Sequence, residues 1–209
     1  MTASGEIPGP LTFVRHRLSL PTGELRILQP SDAAELPDDG PIEWAPLVPY
    51  WSVLWRSGVA LGRDLAGSRL AGLRVVELGC GLGVPSLVAA RDGAAALATD
   101  RCAEALELVE QNARENGLSV ATARLDWVAA DELVALGPFD LVLAADVLYE
   151  RASVAQLLSL FPRIGREVWL ADPGRPLAGT FLEHARRRWS VSTSVRDGVE
   201  IHRLRAPTR

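Results

Sequence analysis

Lysine is absent from this chain, which has 22 arginines. This absence excludes a Walker-type phosphate loop, which needs a lysine, and any enzyme that forms a Schiff base through a lysine of its own. Cysteine is scarce as well, and Cys80 and Cys102 are too few to be the disulfide framework of a 209-residue chain. Free thiols are typical of a reducing compartment, and the first residues do not have the basic and apolar regions of a signal peptide. We therefore expect a cytoplasmic protein.

Long apolar runs and clusters of metal ligands are also missing. No stretch of 18 apolar residues occurs, which argues against a membrane partner. The three histidines, at positions 16, 184 and 202, are scattered, and no Cys/His group has the spacing of a metal site. A net charge of −4 argues against a nucleic-acid partner. With 48% hydrophobic and 23% charged residues, the chain is typical of a globular domain with its own core, and we expect a monomer.

Short apolar strands alternate with helices through most of the chain, a pattern typical of a parallel sheet covered on both faces. The predicted strands of this sheet are 74–78, 95–99, 121–125, 139–145, 167–171, 189–195 and 199–204, and the predicted helices are 51–66, 83–91, 103–116, 153–161 and 177–188. The last two strands predict an antiparallel hairpin across Arg196-Asp197-Gly198, and strands at 11–20 and 24–28 predict another across Pro21-Thr22-Gly23.

These elements predict an α/β fold of the Rossmann-like, doubly wound kind, with a mostly parallel seven-stranded sheet and an antiparallel C-terminal hairpin. A small N-terminal β-hairpin extension precedes the sheet. We assign residues 1–48 to this extension, which consists of a tail, the hairpin and an acidic, proline-rich loop. Residues 49–209 are assigned to the ligand-binding domain.

A glycine-rich turn follows the first parallel strand and reads Glu77-Leu78-Gly79-Cys80-Gly81-Leu82-Gly83. The dinucleotide fingerprint would have its third glycine where Val84 stands. A carboxylate at Glu77 would repel a pyrophosphate, but it suits a ligand with an amine or a cation, such as the methionine part of S-adenosylmethionine. Asp100 ends the next strand about 20 residues later, where a carboxylate accepts hydrogen bonds from ribose hydroxyls.

Polar and aromatic side chains follow the third and fourth parallel strands. Asp126 and Trp127 come at a position that borders the adenine of a bound cofactor in this topology. Trp127 could stack on the base, and Asp126 could accept a hydrogen bond from the amino group of the adenine. A surface tryptophan packed on a helix is an equally good interpretation. Asp146 and Tyr149 stand at the end of the fourth strand, where they could orient a substrate amine, although Asp146 could instead cap the next helix.

Together these residues resemble the seven-β-strand (class I) S-adenosylmethionine-dependent methyltransferases of the protein-lysine methyltransferase type. The aromatic segment 49–58 is also similar, and the resemblance implies that its Trp55 covers the cofactor. The segment Asp172-Pro173-Gly174-Arg175-Pro176 is similar to a hallmark of the subgroup that includes the electron-transfer-flavoprotein β-subunit lysine methyltransferase. This segment is expected to shape the entrance for the methyl acceptor.

The resemblance implies S-adenosylmethionine as the cofactor, S-adenosylhomocysteine as the product, and no metal. It implies a cofactor site formed by Trp55, Glu77, Gly79, Cys80, Gly81, Gly83, Asp100, Asp126, Trp127 and Ala145. It also implies that Asp146 and Tyr149 hold the acceptor as catalytic residues. The predicted function is transfer of a methyl group to an amine, namely the side-chain amine of a protein lysine. That lysine must belong to another protein, because this chain has none.

Three other functions stay open on the sequence. A small-molecule N- or O-methyltransferase would use the same site. A nicotinamide-dependent oxidoreductase would share the fold, although Glu77 and Val84 argue against it. A non-catalytic cofactor-binding module would need neither Asp146 nor Tyr149.

Overall fold

The structure is a computed structural model that describes residues 12–33, 50–127 and 130–207. Its strands are β1 (Phe13–Leu20), β2 (Gly23–Pro30), β3 (Arg74–Leu78), β4 (Ala95–Asp100), β5 (Ala121–Arg124), β6 (Leu141–Ala145), β7 (Glu167–Asp172), β8 (Ser190–Arg196) and β9 (Val199–Arg205). Its helices are a 3-10 turn (Tyr50–Ser52), α1 (Arg56–Leu65), α2 (Val84–Arg91), α3 (Ala103–Glu115), α4 (Ala130–Leu136), α5 (Arg151–Ile164) and α6 (Ala178–Ala185).

The main sheet has seven strands in the order β5-β4-β3-β6-β7-β9-β8. The strands from β5 to β7 are parallel to one another, whereas β9 runs antiparallel to both of its neighbours. This order confirms the predicted Rossmann-like sheet with its antiparallel C-terminal hairpin. The chain winds outward from β3 in one direction and then from β6 in the other, and ligands bind at such a reversal, beyond the carboxyl ends of the strands.

Both faces of the sheet are buried, because successive side chains of a strand point to opposite faces. On β3, Val75 packs in the cluster that holds α1, α2 and the N-terminal hairpin, while Val76 packs with α5 and α6. Leu141 and Val142 divide in the same way on β6. The apolar strand sequences thus reflect burial on two sides, as a parallel sheet requires.

The N-terminal hairpin confirms the predicted extension and is anchored to α3 by two asparagines one helical turn apart. Asn116 accepts a hydrogen bond from the N–H of Arg26 at 2.9 Å and donates to its carbonyl at 2.6 Å. Asn112, which is fully buried, accepts from the N–H of Leu28 at 2.7 Å and donates to the carbonyl of Leu82 at 3.3 Å. Because Leu82 belongs to the glycine turn, Asn112 connects the hairpin to that turn.

Three features of the fold differ from the sequence prediction or lie outside the described residues. The helix predicted from residue 51 begins at Arg56, because Trp55 has an extended backbone with φ −65° and ψ 133°. The short helix α4 was not predicted, and its one buried residue, Leu133, gives little periodicity to detect. The acidic loop and the proposed boundary at residue 48 fall largely in 34–49, outside the described residues.

Candidate functional site

A cavity of about 580 Å³ opens at the carboxyl ends of β3, β4 and β6. Small-molecule sites usually measure roughly 300–1,000 Å³, so this cavity has the size of a ligand pocket. All of the predicted site residues line it: Trp55, Glu77, Gly79, Cys80, Gly81, Gly83, Asp100, Asp126, Trp127, Ala145, Asp146 and Tyr149. The fold therefore brings together side chains that the sequence spreads over four strand ends and the segment before α1.

The glycine turn forms the floor of the pocket in a conformation that needs glycine. Gly81 and Gly83 have φ angles of 49° and 74°, in the left-handed region. A Cβ atom at Gly83 would lie 2.7 Å from a methyl group of Val109, and one at Gly81 would lie 3.0 Å from the carbonyl oxygen of Trp51. The turn is therefore closely packed from outside, and its backbone is left available to the pocket.

Glu77 is a buried carboxyl at the start of this turn, with 2% of its surface exposed. Its Oε2 accepts hydrogen bonds from the N–H of Ser86 at 2.9 Å and from the Ser86 hydroxyl at 2.5 Å. Burial raises the pKa of Glu77 to about 8, despite the opposing effect of these bonds. A cation bound beside Glu77 would favour the ionised carboxylate, so this position suits a positively charged ligand group.

Asp100 is held at the end of β4 by backbone donors. Its Oδ2 accepts from the N–H of Gly81 at 3.1 Å, and its Oδ1 accepts from the N–H of Cys102 at 2.9 Å. Each carboxylate oxygen accepts more than one hydrogen bond, so ribose hydroxyls could bind here as well. Cys102 is the N-cap residue of α3. Burial raises the pKa of the Cys80 thiol well above its ordinary value.

Aromatic side chains form two walls of the pocket. Trp127 lines the pocket with its ring against the glycine turn, because its Cζ2 lies 3.1 Å from where a Cβ of Gly79 would stand. Trp127 is half-buried and also packs against the apolar cluster that contains α5 and α6, so it both borders the pocket and contacts the core. Trp55 also lines the pocket, and it donates a hydrogen bond from Nε1 to the carbonyl of Tyr50 at 3.0 Å.

Asp146 follows β6 with an unusual backbone and a buried side chain. Its φ angle is 59°, and its Oδ1 accepts a hydrogen bond from Nε of Arg175 at 2.6 Å. Burial raises the pKa of Asp146, and Arg175 opposes that rise. The N-cap of α5 is Glu150, so the alternative that Asp146 caps this helix is wrong. Burial also raises the pKa of Tyr149, which is therefore a neutral phenol at pH 7.

Arg175 also lines the pocket, although sequence reasoning assigned it a role only as part of the segment expected to shape the acceptor's entrance. The sequence signal was its place in the segment 172–176, but nothing in that segment indicated a contact with Asp146. The turn is held by Asp172, a fully buried side chain whose Oδ1 accepts from the N–H groups of Gly174 at 2.8 Å and Arg175 at 2.6 Å. Burial raises the pKa of Asp172 to about 6.

Negative charge predominates around the pocket. Among the described residues that line it, five carry carboxyl groups and two carry guanidinium groups: Glu77, Asp100, Asp126, Asp146, Glu150, Arg101 and Arg175. Such a lining attracts cations and disfavours a pyrophosphate. Within residues 12–33, 50–127 and 130–207, no three His, Cys, Asp or Glu side chains are grouped as a metal site. No helix in that part of the chain is long and apolar enough to span a membrane.

Comparison with known families gives a clear result. Residues 51–168, more than half of the chain, match the family model described as lysine methyltransferase. The chain belongs to the lysine methyltransferase family. The matched range contains the glycine turn, both aromatic walls, Asp146 and Tyr149.

Two curated relatives illustrate this membership. The electron transfer flavoprotein beta subunit lysine methyltransferase of Xenopus laevis is 33% identical over 135 residues, which are 61% of this chain and 53% of the relative. The protein N-lysine methyltransferase METTL21A of Danio rerio is 36% identical over 114 residues, 51% of this chain and 52% of the relative. The chain thus spans about half the length of the curated relatives it matches.

Solved structures agree on the fold. A 16S rRNA methyltransferase of T. thermophilus, solved in complex with AdoMet and guanosine, superposes with a TM-score of 0.68. The superposition covers 96% of this chain and 52% of that one, at 13% sequence identity. At such low identity the likeness concerns the fold alone, and it confirms the Rossmann-like architecture.

Proposed function

We propose that this member of the lysine methyltransferase family transfers a methyl group from S-adenosylmethionine to an amine, a lysine side chain of another protein. The observation that carries the proposal is the excess of carboxyl groups around the glycine turn at the reversal of the sheet. Family membership and the names of the two relatives support it. The two free thiols fit a reducing compartment, so we propose that the activity is cytoplasmic. We also propose that the enzyme is a monomer.

The residues present fit S-adenosylmethionine. Glu77 would bind the ammonium group of its methionine part, and Asp100 would bind the ribose hydroxyls. Asp126 and Trp127 would hold the adenine, the glycine turn would contact the ligand through its backbone, and Trp55 would cover it. When bound, the cofactor would supply a reactive methyl group on a positively charged sulfonium, which suits a pocket rich in carboxylates.

The acceptor end of the pocket would lie at Asp146 and Tyr149. Direct transfer of a methyl group requires the acceptor nitrogen in line with the methyl group, and such alignment can contribute roughly 7–11 kcal/mol. A lysine with a pKa of about 10.4 must also lose its proton, which costs on the order of 4–5 kcal/mol at pH 7. Asp146 would bind and orient the ammonium group, and the apolar walls would favour its neutral form by desolvation.

This division of roles predicts the behaviour of Asp146→Ala. We expect this variant to lose most of its turnover, because the acceptor is no longer oriented, while its affinity for S-adenosylmethionine changes little. Calorimetric titration gives the affinity, and transfer of a radiolabelled methyl group gives the turnover. An equal loss of both would contradict the assignment of Asp146 to the acceptor.

Calorimetric titration with S-adenosylmethionine, with NADH in parallel, tests the cofactor assignment. Saturable binding of S-adenosylmethionine without binding of NADH is expected, and binding of NADH alone would refute the proposed function. Incubation with radiolabelled S-adenosylmethionine and a lysate of the same species then tests the acceptor. Label in protein lysines is expected, whereas label confined to the low-molecular-weight fraction would favour a metabolite acceptor.

A further inference from the structure

The guanidinium of Arg175 lies in the pocket beside Asp146, where the acceptor is proposed to bind. Its Nε donates to Oδ1 of Asp146 at 2.6 Å, and the two side chains are only 12% and 6% exposed. The guanidinium carbon also lies 5.8 Å from the ring centroid of Trp55, close enough for a cation–π interaction. Arg175 therefore contacts both Asp146, which is proposed to bind the acceptor, and Trp55, which lines the pocket.

The backbone on both sides of this ion pair is fixed. The N–H of Asp146 donates to the carbonyl of Ala171 at 2.9 Å, which holds the left-handed residue against β7. The turn that carries Arg175 is held by two hydrogen bonds to Oδ1 of Asp172. Only the side chain of Arg175 can move without breaking these contacts.

A guanidinium and an alkylammonium are both cations, and they compete for the same carboxylate oxygens. If the acceptor binds at Asp146 as a cation, Arg175 has to move away from Oδ1 or share a crowded site at the cost of charge repulsion. We propose that Arg175 determines acceptor specificity. Its guanidinium occupies the position at Asp146 where the acceptor's cation would bind, and only a positively charged amine displaces it. This inference rests on the proposed function.

The guanidinium has another negative group beside it when it leaves Asp146. Asp172 is fully buried, and its Oδ2 has no hydrogen-bond partner among the described residues. The charge of Arg175 already lowers the pKa of Asp172, although burial has the larger, opposite effect. Asp146 and Asp172 thus interact with the charge of one guanidinium, so the two carboxyl groups together lack one positive charge.

The exchange discriminates between acceptors by charge. An alkylammonium replaces the guanidinium at Asp146 and restores a charge-assisted hydrogen bond. A hydroxyl or another neutral group would leave the buried carboxylate without a cation, which is costly. Arg175 therefore favours amines over alcohols of the same shape, and it selects against O-methylation.

Butylammonium and 1-butanol, which have nearly the same shape but different charge, are suitable probes. Their binding is measured by ligand-observed NMR at pH 7, with and without saturating S-adenosylhomocysteine. In the native protein, butylammonium is expected to bind and butanol is not. In Arg175→Ala, butylammonium is expected to bind at least about tenfold more tightly, because no guanidinium competes for the charge-assisted hydrogen bond. Arg175→Lys keeps a competing cation and is expected to bind like the native protein.

Direct evidence for displacement comes from the Nε–H resonance of Arg175, identified by its loss in Arg175→Ala. Butylammonium is expected to shift this resonance and butanol is not. Arg188→Ala, which removes an exposed arginine after α6, is the matched control and is expected to change neither measurement. Far-UV circular dichroism establishes that each variant is folded.

The outcomes separate this inference from the proposed function. If Arg175→Ala binds butylammonium no more tightly than the native protein, or if butylammonium binds to neither, Arg175 does not hold the acceptor's place. Either result overturns the inference even where S-adenosylhomocysteine binds normally. If S-adenosylhomocysteine fails to bind, the proposed function fails, while the butylammonium titration without it still decides whether a cation displaces Arg175.

Discussion

Binding of S-adenosylmethionine at pH 7 is expected to release close to one proton from Glu77. Burial raises the pKa of this carboxyl to about 8. At pH 7, about 90% of the protein molecules therefore hold it protonated. The ammonium group of the methionine part is itself mostly charged at this pH, since α-amino groups have a pKa of about 7.7–8.0. A cation beside Glu77 stabilises the carboxylate, so the proton leaves as the cofactor binds.

Calorimetric titrations in buffers of different ionisation enthalpy measure this proton, because the observed heat changes with the buffer in proportion to the protons released. We expect a net release of about 0.8 proton per cofactor at pH 7: Glu77 loses about 0.9, and the fraction of the cofactor amine that is neutral in solution takes up about 0.1–0.2. The affinity is also expected to fall about eightfold between pH 7 and pH 6. The ionised fraction of Glu77 falls about ninefold, from about one molecule in 11 to about one in 101, and the slightly larger charged fraction of the cofactor amine offsets a small part of this fall.

Two variants control this experiment. Glu77→Gln keeps the size of the side chain but cannot titrate, so it is expected to bind more weakly and to release no proton from this position. Ser86→Ala removes a hydroxyl that lowers the pKa of Glu77, so its affinity at pH 7 is expected to fall and to recover at higher pH. The reasoning is refuted if the native protein binds equally well at pH 6 and pH 7 and releases no proton.

Two further predictions concern the support of the glycine turn. Asn112→Ala is expected to lower the free energy of unfolding by about 2–4 kcal/mol, because it leaves buried backbone groups of the hairpin and the turn without partners. It is also expected to weaken binding of S-adenosylmethionine in calorimetry. Asn116→Ala loses contacts to the hairpin and to the carbonyl of Asn112 but none to the glycine turn, so it is expected to keep the affinity. Equal affinities in the two variants would contradict the connection. Gly83→Ala is expected to destabilise by about 2–5 kcal/mol in urea unfolding, because its new Cβ would lie 2.7 Å from Val109 at a left-handed residue. Gly117 has a similar φ angle but open space around it, so Gly117→Ala is the control. An equally large loss of stability in Gly117→Ala would mean that the contact with Val109 is not what destabilises Gly83→Ala.

The parallel sheet and the position of the site were predictable because they depend on local patterns. The strand at 74–78 was predicted with both of its ends, since it is a short apolar run closed by glycine. Gly117 ends α3 as predicted, because it takes the left-handed conformation after the helix. The carboxyl ends of parallel strands meet at one edge of a sheet, so residues such as Asp100 and Asp146 had to come together once the strands were known.

The ion pair between Asp146 and Arg175 was not predictable, because it depends on tertiary structure. The two residues are 29 positions apart and meet only because β6 and β7 are neighbours in the sheet. The left-handed backbone of Asp146 is rare for a residue other than glycine, and it is stabilised by the hydrogen bond that its N–H donates to the carbonyl of Ala171 in β7. The break before α1 at Trp55 is similar, since the aromatic segment turns to line the pocket where helix propensity alone would extend the helix.

Three buried carboxyl groups in or beside the pocket, Glu77, Asp146 and Asp172, share one electrostatic condition. Burial raises the pKa of each by removing the carboxyl group from water, and Arg175 offsets this only in part at Asp146 and Asp172. A dinucleotide would add negative charge to this site and raise those pKa values further. S-adenosylmethionine would add an ammonium group at Glu77 and a sulfonium beside the acceptor, and the acceptor itself would add an alkylammonium at Asp146. The same fold can bind either class of cofactor, so we expect the unfavourable burial of these carboxyl groups to make this pocket favour cationic ligands.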